Sequence, residues 1–180
     1  MITEVTTRDH RLATIRPLTF SDFDRLTDYL QNLSPETKRR FGPHPFDRNA
    51  VEDYHRAHHE VTGYIALHEG DQVVAYALIK QGLVDEDIPR FVGYNLNPHP
   101  HHDCTYAPSV ADDWQSCGLG TLLFDVIRKD CLLKGFNRMF LWGGVQSTNT
   151  KAVNYYIKLG FTHLGTFEHN GPNDDMMLQL

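Results

Sequence analysis

The first third of the chain contains one short apolar run, followed by segments whose apolar positions follow the helical repeat. Residues 12–16 predict a strand that ends at Pro17, because proline cannot donate to a strand ladder. Residues 1–11 precede it as a loose arm or an edge strand. Three helices are predicted next. Their markers are Ser21 as N-cap before Phe23, Leu26, Tyr29, Leu30 and Leu33, then the start Ser34-Pro35, then residues 48–60.

The middle of the chain predicts a hairpin and then a long loop. Residues 64–68 and 73–79 are rich in β-formers and flank Gly70-Asp71, a pattern typical of an antiparallel hairpin. Residues 81–103 contain several glycines and prolines, which predict mostly loop with one short strand over residues 91–96.

The last part of the chain predicts a strand, a helix and a second strand, and then a helix and two strands. A strand, a helix and a strand in this order require a right-handed crossover to a parallel neighbour. The pattern therefore predicts an α/β protein with a mixed sheet in a single domain, residues 1–180. The predicted elements are a strand over 104–110 containing Pro108, a helix to about Leu133 ended by Gly135, a strand over 138–142, a helix over 149–159 closed by Gly160, and strands over 162–169 and 176–180.

Composition narrows the class of protein. The chain has 180 residues and a net charge of −6, which argues against nucleic acid as the main partner and suits either a cationic substrate or simple solubility. No run is long enough to span a membrane, and the N-terminus lacks a signal-peptide core. Three cysteines without a C-x-x-C motif indicate reduced thiols and a cytoplasmic location.

A glycine turn at the start of the predicted helix over residues 118–133 is the first candidate for chemistry. Its pattern is Q-x-x-G-x-G, from Gln115 to Gly120. The first N–H groups of a helix lack intrahelical partners, and glycines let the backbone approach a phosphate closely. The spacing fits neither G-x-x-x-x-G-K-[ST] nor G-x-G-x-x-G. An anion cradle is predicted, with an ordinary strand-to-helix connection as the alternative.

Two motifs together resemble the GNAT superfamily of acetyl-CoA-dependent N-acetyltransferases. They are Q-x-x-G-x-G and, downstream, Asn149-x-x-Ala152-x-x-Tyr155-Tyr156-x-Lys158-Leu159-Gly160-Phe161. Within that family, V-A-D-D-W-Q-x-x-G-L-G and Leu33-Ser34-Pro35-Glu36-Thr37 look most like the GNAT domain of bacterial protein-lysine acetyltransferases. The resemblance implies a mostly antiparallel sheet with one splayed pair of parallel strands and flanking helices.

The resemblance also implies a site for acetyl-CoA, with no metal. The pantetheine arm would pair with the backbone of the strand before the glycine turn, and the pyrophosphate would rest on the turn. The cofactor-binding residues implied are Pro108, Ser109, Val110, Gln115, Ser116, Cys117, Gly118, Leu119, Gly120, Thr121, Asn149, Tyr155 and Tyr156. The implied acceptor is an amine, on a small molecule or on a protein lysine, with a homodimer left open.

Acetyl transfer requires a proton for the departing thiolate and a base for the amine. Tyr156 matches the family tyrosine that donates the proton, with packing on the sheet as its alternative role. The base is less clear, because Thr105 fills the position where the protein-lysine type has a glutamate. Glu86 is the leading candidate. The alternatives are Asp85, Asp87, His102 or a chain of water molecules.

Two groups of histidines are candidate metal sites, and two other functions are alternatives to an acetyltransferase. His99 to Cys104, and His55 with His59, contain possible metal ligands but lack the spacing of a zinc motif, so surface or substrate-loop roles are favoured. Because of Thr105, a catalytically impaired acyl-CoA binding or sensing module is the main alternative to an enzyme. An interaction domain without a cofactor would require both motifs to be coincidental.

Overall fold

A computed structural model describes residues 2–180 as nine strands, six α-helices and two short 3-10 helices. The strands are β1 (Thr3–Thr6), β2 (Leu12–Pro17), β3 (Val61–His68), β4 (Gln72–Gln81), β5 (Asp103–Val110), β6 (Arg138–Leu141), β7 (Val145–Gln146), β8 (Thr162–Glu168) and β9 (Pro172–Gln179). The helices are α1 (Phe23–Asn32), α2 (Pro35–Arg40), α3 (Arg48–Ala57), α4 (Ile88–Gly93), α5 (Leu119–Leu133) and α6 (Thr150–Lys158). Within residues 2–180, no helix is both long and apolar enough to cross a membrane.

The strands form one mixed sheet in the order β1-β2-β3-β4-β5-β6-β9-β7, with β8 paired to β9. Pairing is mostly antiparallel, and β5 and β6 are parallel, with a register from Asp103↔Arg138 to Tyr106↔Leu141. The predicted mixed sheet with a parallel pair is therefore confirmed. β1 settles the choice left open for the N-terminus in favour of an edge strand.

The chain packs into two compact units. The N-terminal unit comprises the residues up to Leu78 together with Ala107–Lys129, and the C-terminal unit comprises Ile79–Tyr106 and Asp130–Leu180. Strands β4 and β5 and helix α5 contribute residues to both units. The units are therefore not successive halves of the sequence, because the chain returns to the first unit at Ala107.

In the N-terminal unit, α1 buries the apolar face that its sequence predicts, including Leu26 and Leu30 at 0% exposure. Its start differs from the prediction, because a helical turn already begins at Phe20 and Ser21 is exposed. Asp22 organises that turn: its carboxylate accepts the N–H of Thr19 at 2.8 Å and pairs with Arg16 at 2.6 Å. A carboxylate that receives both a backbone N–H and a guanidinium makes a stronger helix start than a serine hydroxyl.

In the C-terminal unit, the predicted strand over residues 91–96 is wrong, because residues 88–93 form α4. Pro89 lies in the first turn, where a missing N–H is harmless, so it permits a helix that the proline-rich pattern concealed. Phe91 is fully buried against Phe140 and Leu83. A single apolar anchor therefore holds a helix too short to show a repeat.

The final strand also begins earlier than predicted, at Pro172 instead of Met176. Asn170 and Gly171 have positive φ angles of 52° and 107° and make a tight turn. The side chain of Asn173 donates to the carbonyls of His169 and Gly171, each at 2.8 Å. The first residues of β9 are polar, and hydrogen bonds such as those of Asn173 hold them in place. A pattern of apolar residues does not reveal such a strand start.

A buried hydrogen-bond chain lies in the N-terminal unit, around the hydroxyl of Tyr76 on β4. Nδ1 of His44 lies 2.7 Å from the carbonyl oxygen of Pro45 and must donate to it, so Nε2 of a neutral His44 accepts from Tyr76 at 3.0 Å. Nε2 of His55 then donates to the Tyr76 oxygen at 2.8 Å. Burial lowers the pKa of both histidines, and for His55, with nearby His44 and His58, to about 4. These three hydrogen bonds therefore join neutral groups.

We expect this chain to make the protein acid-sensitive. Because the pKa of His55 is lowered from 6.5 to about 4, its stabilising contribution is present above pH 6.5 and is lost as the pH falls towards 4. The free energy of unfolding should fall by on the order of 3 kcal/mol over that window. Urea unfolding at pH values from 7 to 4.5 measures this.

Two variants separate this effect from general acid denaturation. His55→Gln keeps a donor for Tyr76 but cannot titrate, so its stability should change less over the same window. His59→Gln alters an exposed histidine just beyond α3 and should behave as the wild type. Equal pH dependence in His55→Gln and the wild type would contradict the assignment.

Candidate functional site

The glycine turn predicted to hold an anion connects β5 to α5 in the N-terminal unit. Ser116 and Gly118 both have left-handed backbone, with φ angles of 65° and 92°. The N–H groups of Thr121 and Leu122 return to the carbonyl of Gly118, at 3.1 and 3.2 Å, so the first helical hydrogen bonds begin there. The N-terminus of a helix of 15 residues therefore follows directly on this turn, with the positive end of its dipole.

Asp112 braces the start of the turn. Its carboxylate accepts the N–H and the hydroxyl of Ser34, at 2.9 and 2.8 Å, and the hydroxyl of Thr37 at 2.7 Å. Partial burial raises the pKa of Asp112, but these hydrogen bonds outweigh it, so the pKa lies below its usual value. Asp112 is therefore engaged in holding the turn in place.

The other predicted loop residues are held by short contacts. The side chain of Gln115 donates to the carbonyl of Val110 at 3.2 Å, which closes the turn on itself. The thiol of Cys117 is buried and donates to the carbonyl of Trp114 at 2.9 Å. The polar atoms of these two side chains thus shape the loop, and the backbone is the part suited to an anion.

The hairpin between β1 and β2 contacts this turn, which sequence reasoning missed. The N–H of Arg8 donates to the carbonyl of Cys117 at 2.9 Å, and the guanidinium of Arg11 lies over Trp114 at 3.7 Å from the ring centre. A Cβ on Gly118 would lie 3.3 Å from Nε of Arg8. These contacts span about a hundred residues of sequence, so no local pattern could indicate them.

The end of β5, where the pantetheine arm was predicted, lies in the N-terminal unit from Ala107 onward. Ser109 is buried, and its hydroxyl lies 2.8 Å from the hydroxyl of Tyr29. Pro108 and Val110 are half-buried, and the N–H of Ala111 donates to the carbonyl of Val74 at 2.9 Å. The side chain of Ser109 therefore connects β5 to α1. Its backbone is the part that stays predicted to contact the pantetheine arm.

The second motif lies in the C-terminal unit, on α6. Asn149 is the N-cap of α6, and its side chain accepts the N–H of Ala152 at 3.3 Å. The hydroxyl of Tyr155 lies 3.3 Å from that of Tyr106 on β5. This contact brings α6 onto one face of the parallel pair.

Tyr156 differs from its neighbour in having no hydrogen-bond partner for its hydroxyl within residues 2–180. The side chain is 8% exposed and packs between the rings of Tyr155 and Phe161. Burial, with a smaller contribution from Tyr155, raises the pKa of Tyr156 above its ordinary value. The phenol is therefore protonated at neutral pH and free to donate.

The candidate bases have different surroundings. Asp85 and Glu86 are exposed in the turn before α4, and His102 is exposed as well. Asp87 is buried, accepting the N–H of Gly143 at 3.0 Å and Nη2 of Arg90 at 2.7 Å. Thr105, at the family's glutamate position, is buried and donates its hydroxyl to the carbonyl of Gly82 at 2.8 Å, so it takes part in the core.

The histidine groups show no metal-binding geometry in the part of the chain that is described. Residues 2–180 contain no group of three or more ligand side chains arranged to hold a metal ion. The rings of His99 and His102 stack at 4.4 Å, and His55 is engaged with Tyr76.

Comparison with protein families identifies the class. The family model described as the acetyltransferase (GNAT) family matches residues 26–161, about three quarters of the chain, so the chain belongs to that family. A comparison with curated proteins finds no match. The predicted family is confirmed.

Solved structures share the fold. The GNAT domain of S. lividans PAT is 23% identical, with a TM-score of 0.78 over 99% of this chain and 97% of that one. Aminoglycoside acetyltransferase AAC(6')-Ib in complex with coenzyme A is 22% identical, with a TM-score of 0.69 over 93% and 94%. The yncA structure from Salmonella typhimurium with acetyl-CoA is 18% identical, with a TM-score of 0.69 over 93% and 94%. Together with the family match, these support acetyl transfer in general.

We expect Gly118→Ala to strain the glycine turn. Alanine disfavours a φ of 92°, and its Cβ would meet the Arg8 side chain at 3.3 Å, so the free energy of unfolding should fall by about 1–2 kcal/mol. CoA affinity, measured by calorimetry, should fall as well. Gly42→Ala is the matched control, because a Cβ there meets nothing within 4 Å and needs no left-handed backbone. Unchanged stability and CoA affinity in Gly118→Ala would contradict this account of the turn.

Proposed function

We propose that this protein is an N-acetyltransferase that moves an acetyl group from acetyl-CoA to a primary amine, on a small molecule or a protein lysine. The observation that carries the proposal is the turn from Gln115 to Thr121, left-handed at Ser116 and Gly118 and directly preceding a long helix, in a chain of the GNAT family. Such a turn is suited to a phosphate group.

Acetyl-CoA would be bound largely through backbone. The pyrophosphate would rest on residues 115–121, and the pantetheine arm would follow residues 108–110 at the end of β5. The half-buried backbone at Pro108 and Val110 supports this placement. Asn149, Tyr155 and Tyr156, in the second motif, stay predicted cofactor-binding residues.

The chemistry requires charge stabilisation and a proton. Backbone N–H groups near Val110 would stabilise the oxyanion that forms when the amine attacks the thioester carbonyl. Tyr156 would then protonate the departing thiolate, because its phenol is protonated at neutral pH and has no competing partner among residues 2–180. Glu86 stays a predicted base, and its exposed position gives it no fixed orientation.

The acceptor and the setting are proposals of the same kind. One structural neighbour is an aminoglycoside acetyltransferase, and aminoglycosides carry primary amines; another is the GNAT domain of PAT. We therefore keep both small-molecule amines and protein lysines as proposed acceptors. We place the enzyme in the cytoplasm, because its cysteines, Cys104, Cys117 and Cys131, are free and buried.

A second candidate function is an acyl-CoA binding or sensing module without turnover. Thr105 favours it, since the hydroxyl at the family's glutamate position is occupied by the carbonyl of Gly82. The two functions share the cofactor site and differ only in whether an amine reacts.

A CoA-release screen distinguishes these two functions. We expect CoA at about 100 times its Kd to raise the free energy of unfolding by about 2.7 kcal/mol, and acetyl-CoA to release thiol with at least one amine. The panel comprises polyamines, amino acids, aminoglycosides and lysine peptides. Stabilisation without thiol release across the panel would favour the sensing module, and no stabilisation would contradict both.

We expect Tyr156→Phe to lower kcat by about 100-fold or more, because the thiolate would leave without a proton donor. The dissociation constant for CoA, measured by calorimetry, should stay within about twofold. Tyr54→Phe removes a hydroxyl on α3, remote in sequence from both motifs, and serves as the control. A Tyr156→Phe enzyme with wild-type kcat would show that the phenol is a packing residue.

A further inference from the structure

The parallel pair β5–β6 has two faces, and the C-terminal unit covers each with a different helix. Thr105 and Phe140 are register partners and therefore share a face, where Phe140 packs against Phe91 of α4 at 4.7 Å between ring centres. Tyr106, the next residue along β5, points to the opposite face, where it meets Tyr155 of α6. Tyr156 thus belongs to the helix on one face, and α4 lies on the other.

The N-cap residue of α4 reaches the backbone that follows β6. Oδ2 of Asp87 accepts the N–H of Gly143, two residues beyond the end of that strand. Gly143 and Gly144 both have positive φ angles, 63° and 70°, and a Cβ on Gly144 would lie 2.8 Å from the ring of Phe167. Carboxyl ends of parallel strands are where open α/β sheets bind ligands, and Asp87 is fixed at that end of β6.

Asp87 also belongs to a buried group whose charges do not balance. Arg90 donates to Asp175 at 2.9 and 3.1 Å and to Asp87 at 2.7 Å, so one guanidinium serves two carboxylates. Tyr94 donates its hydroxyl to Asp175 at 3.1 Å but brings no charge. Asp175 is 0% exposed and Asp87 is 5% exposed. A buried negative charge without a counter-charge is costly, and a cation would remove that cost.

Asp87 keeps acceptor capacity for such a cation. A carboxylate has about four lone-pair sites, and the contacts with Gly143 and Arg90 use two. Burial raises the pKa of Asp87, and the nearby Asp175 adds to this, against the opposing effects of Gly143 and Arg90. The exposed Asp85 and Glu86 in the same turn have no such setting.

We propose that Asp87 is the general base of acetyl transfer and that, with Asp175, it selects a cationic amine as acceptor. The inference rests on the proposed acetyltransferase function and assigns the base to Asp87 in place of Glu86. Asp87 and Tyr156 then act from opposite faces of the β5–β6 pair. The amine approaches from the α4 face, and the thiol leaves towards α6.

The reaction balances with these two groups. Asp87 takes one proton from the ammonium, and the nitrogen lone pair forms the N–C bond to the thioester carbonyl. The C–S bond then breaks, with its electron pair remaining on sulfur, which takes the proton of Tyr156. The nitrogen loses a second proton as the amide forms, and solvent returns one proton to Tyr156. Asp87 releases its proton to solvent, so one proton is released overall.

The experiment compares isosteric and charge-conserving variants, using the amine that gives the fastest CoA release in the screen. Asp87→Asn keeps the shape and can still accept from Gly143, and we expect its kcat/KM to fall by about 100-fold or more. Asp87→Glu keeps the carboxylate on a longer side chain, and we expect at least ten times the kcat/KM of Asp87→Asn. A structural role alone predicts the reverse order, because asparagine disturbs the packing less.

Further readouts separate a base from a packing residue. The kcat/KM of the wild type should increase with pH as the base loses its proton. The pH profile of Asp87→Asn should lack this increase, while its Kd for CoA stays within about twofold of the wild-type value. Asp85→Asn, in the same turn, should keep wild-type kcat/KM. If Asp87→Asn does not fold, the test uses the pH profile of kcat/KM in Asp87→Glu. An increase displaced by at least half a pH unit from that of the wild type supports the proposal, and an increase at the wild-type pH overturns it.

Failure of this inference is distinct from failure of the proposed function. A wild-type protein that binds no CoA, or releases thiol with no amine, contradicts the acetyltransferase itself. A wild-type enzyme that acetylates an amine while Asp87→Asn keeps kcat/KM within threefold contradicts only the role of Asp87. Loss of activity in Glu86→Gln but not in Asp87→Asn would return the base to Glu86.

Discussion

The parallel register of β5 against β6 is the constraint on which the C-terminal half of the candidate site depends. Side chains alternate across a strand, so pairing Thr105 with Phe140 fixes which residues face α4 and which face α6. A slip of one residue would exchange the two faces and bury Tyr106 where Phe91 now packs. The apolar contact between Phe91 and Phe140 and the polar contact between Tyr106 and Tyr155 both favour the observed register.

The glycine turn before α5 is held in its backbone conformation by contacts with the residues around it. Asp112 fixes the start of the turn to α2, Gln115 closes it on Val110, and Arg8 contacts its far side. Each contact is modest in free energy, about 1 kcal/mol for a typical hydrogen bond. Together they keep the backbone conformation at Ser116 and Gly118, which an isolated loop would not retain.

Two buried clusters of polar residues in this protein differ in net charge, and they therefore differ in what they indicate about function. The chain of His44, Tyr76 and His55 is neutral, and three hydrogen bonds join its members to one another and to the carbonyl of Pro45. Around Arg90, two carboxylates share one guanidinium, and a negative charge stays uncompensated. Burial is thus a weak indicator of function by itself, and the charge balance of the group is the more informative property.

The sequence by itself determined the family, most helices and strands, and the residues around the two motifs. These features depend on short-range spacing: the glycines of the turn, the cap at Asn149 and the tyrosines of α6 lie within a few residues of one another. Only the tertiary structure decided that residues 88–93 are helical, that β9 begins at Pro172, and that Asp87 is distinguished from Glu86. The partners that decide these points lie far away in sequence, such as Asp175 for Arg90 and Gly143 for Asp87. A local pattern records the preferences of neighbouring residues, whereas charge balance and burial arise only when distant segments pack together.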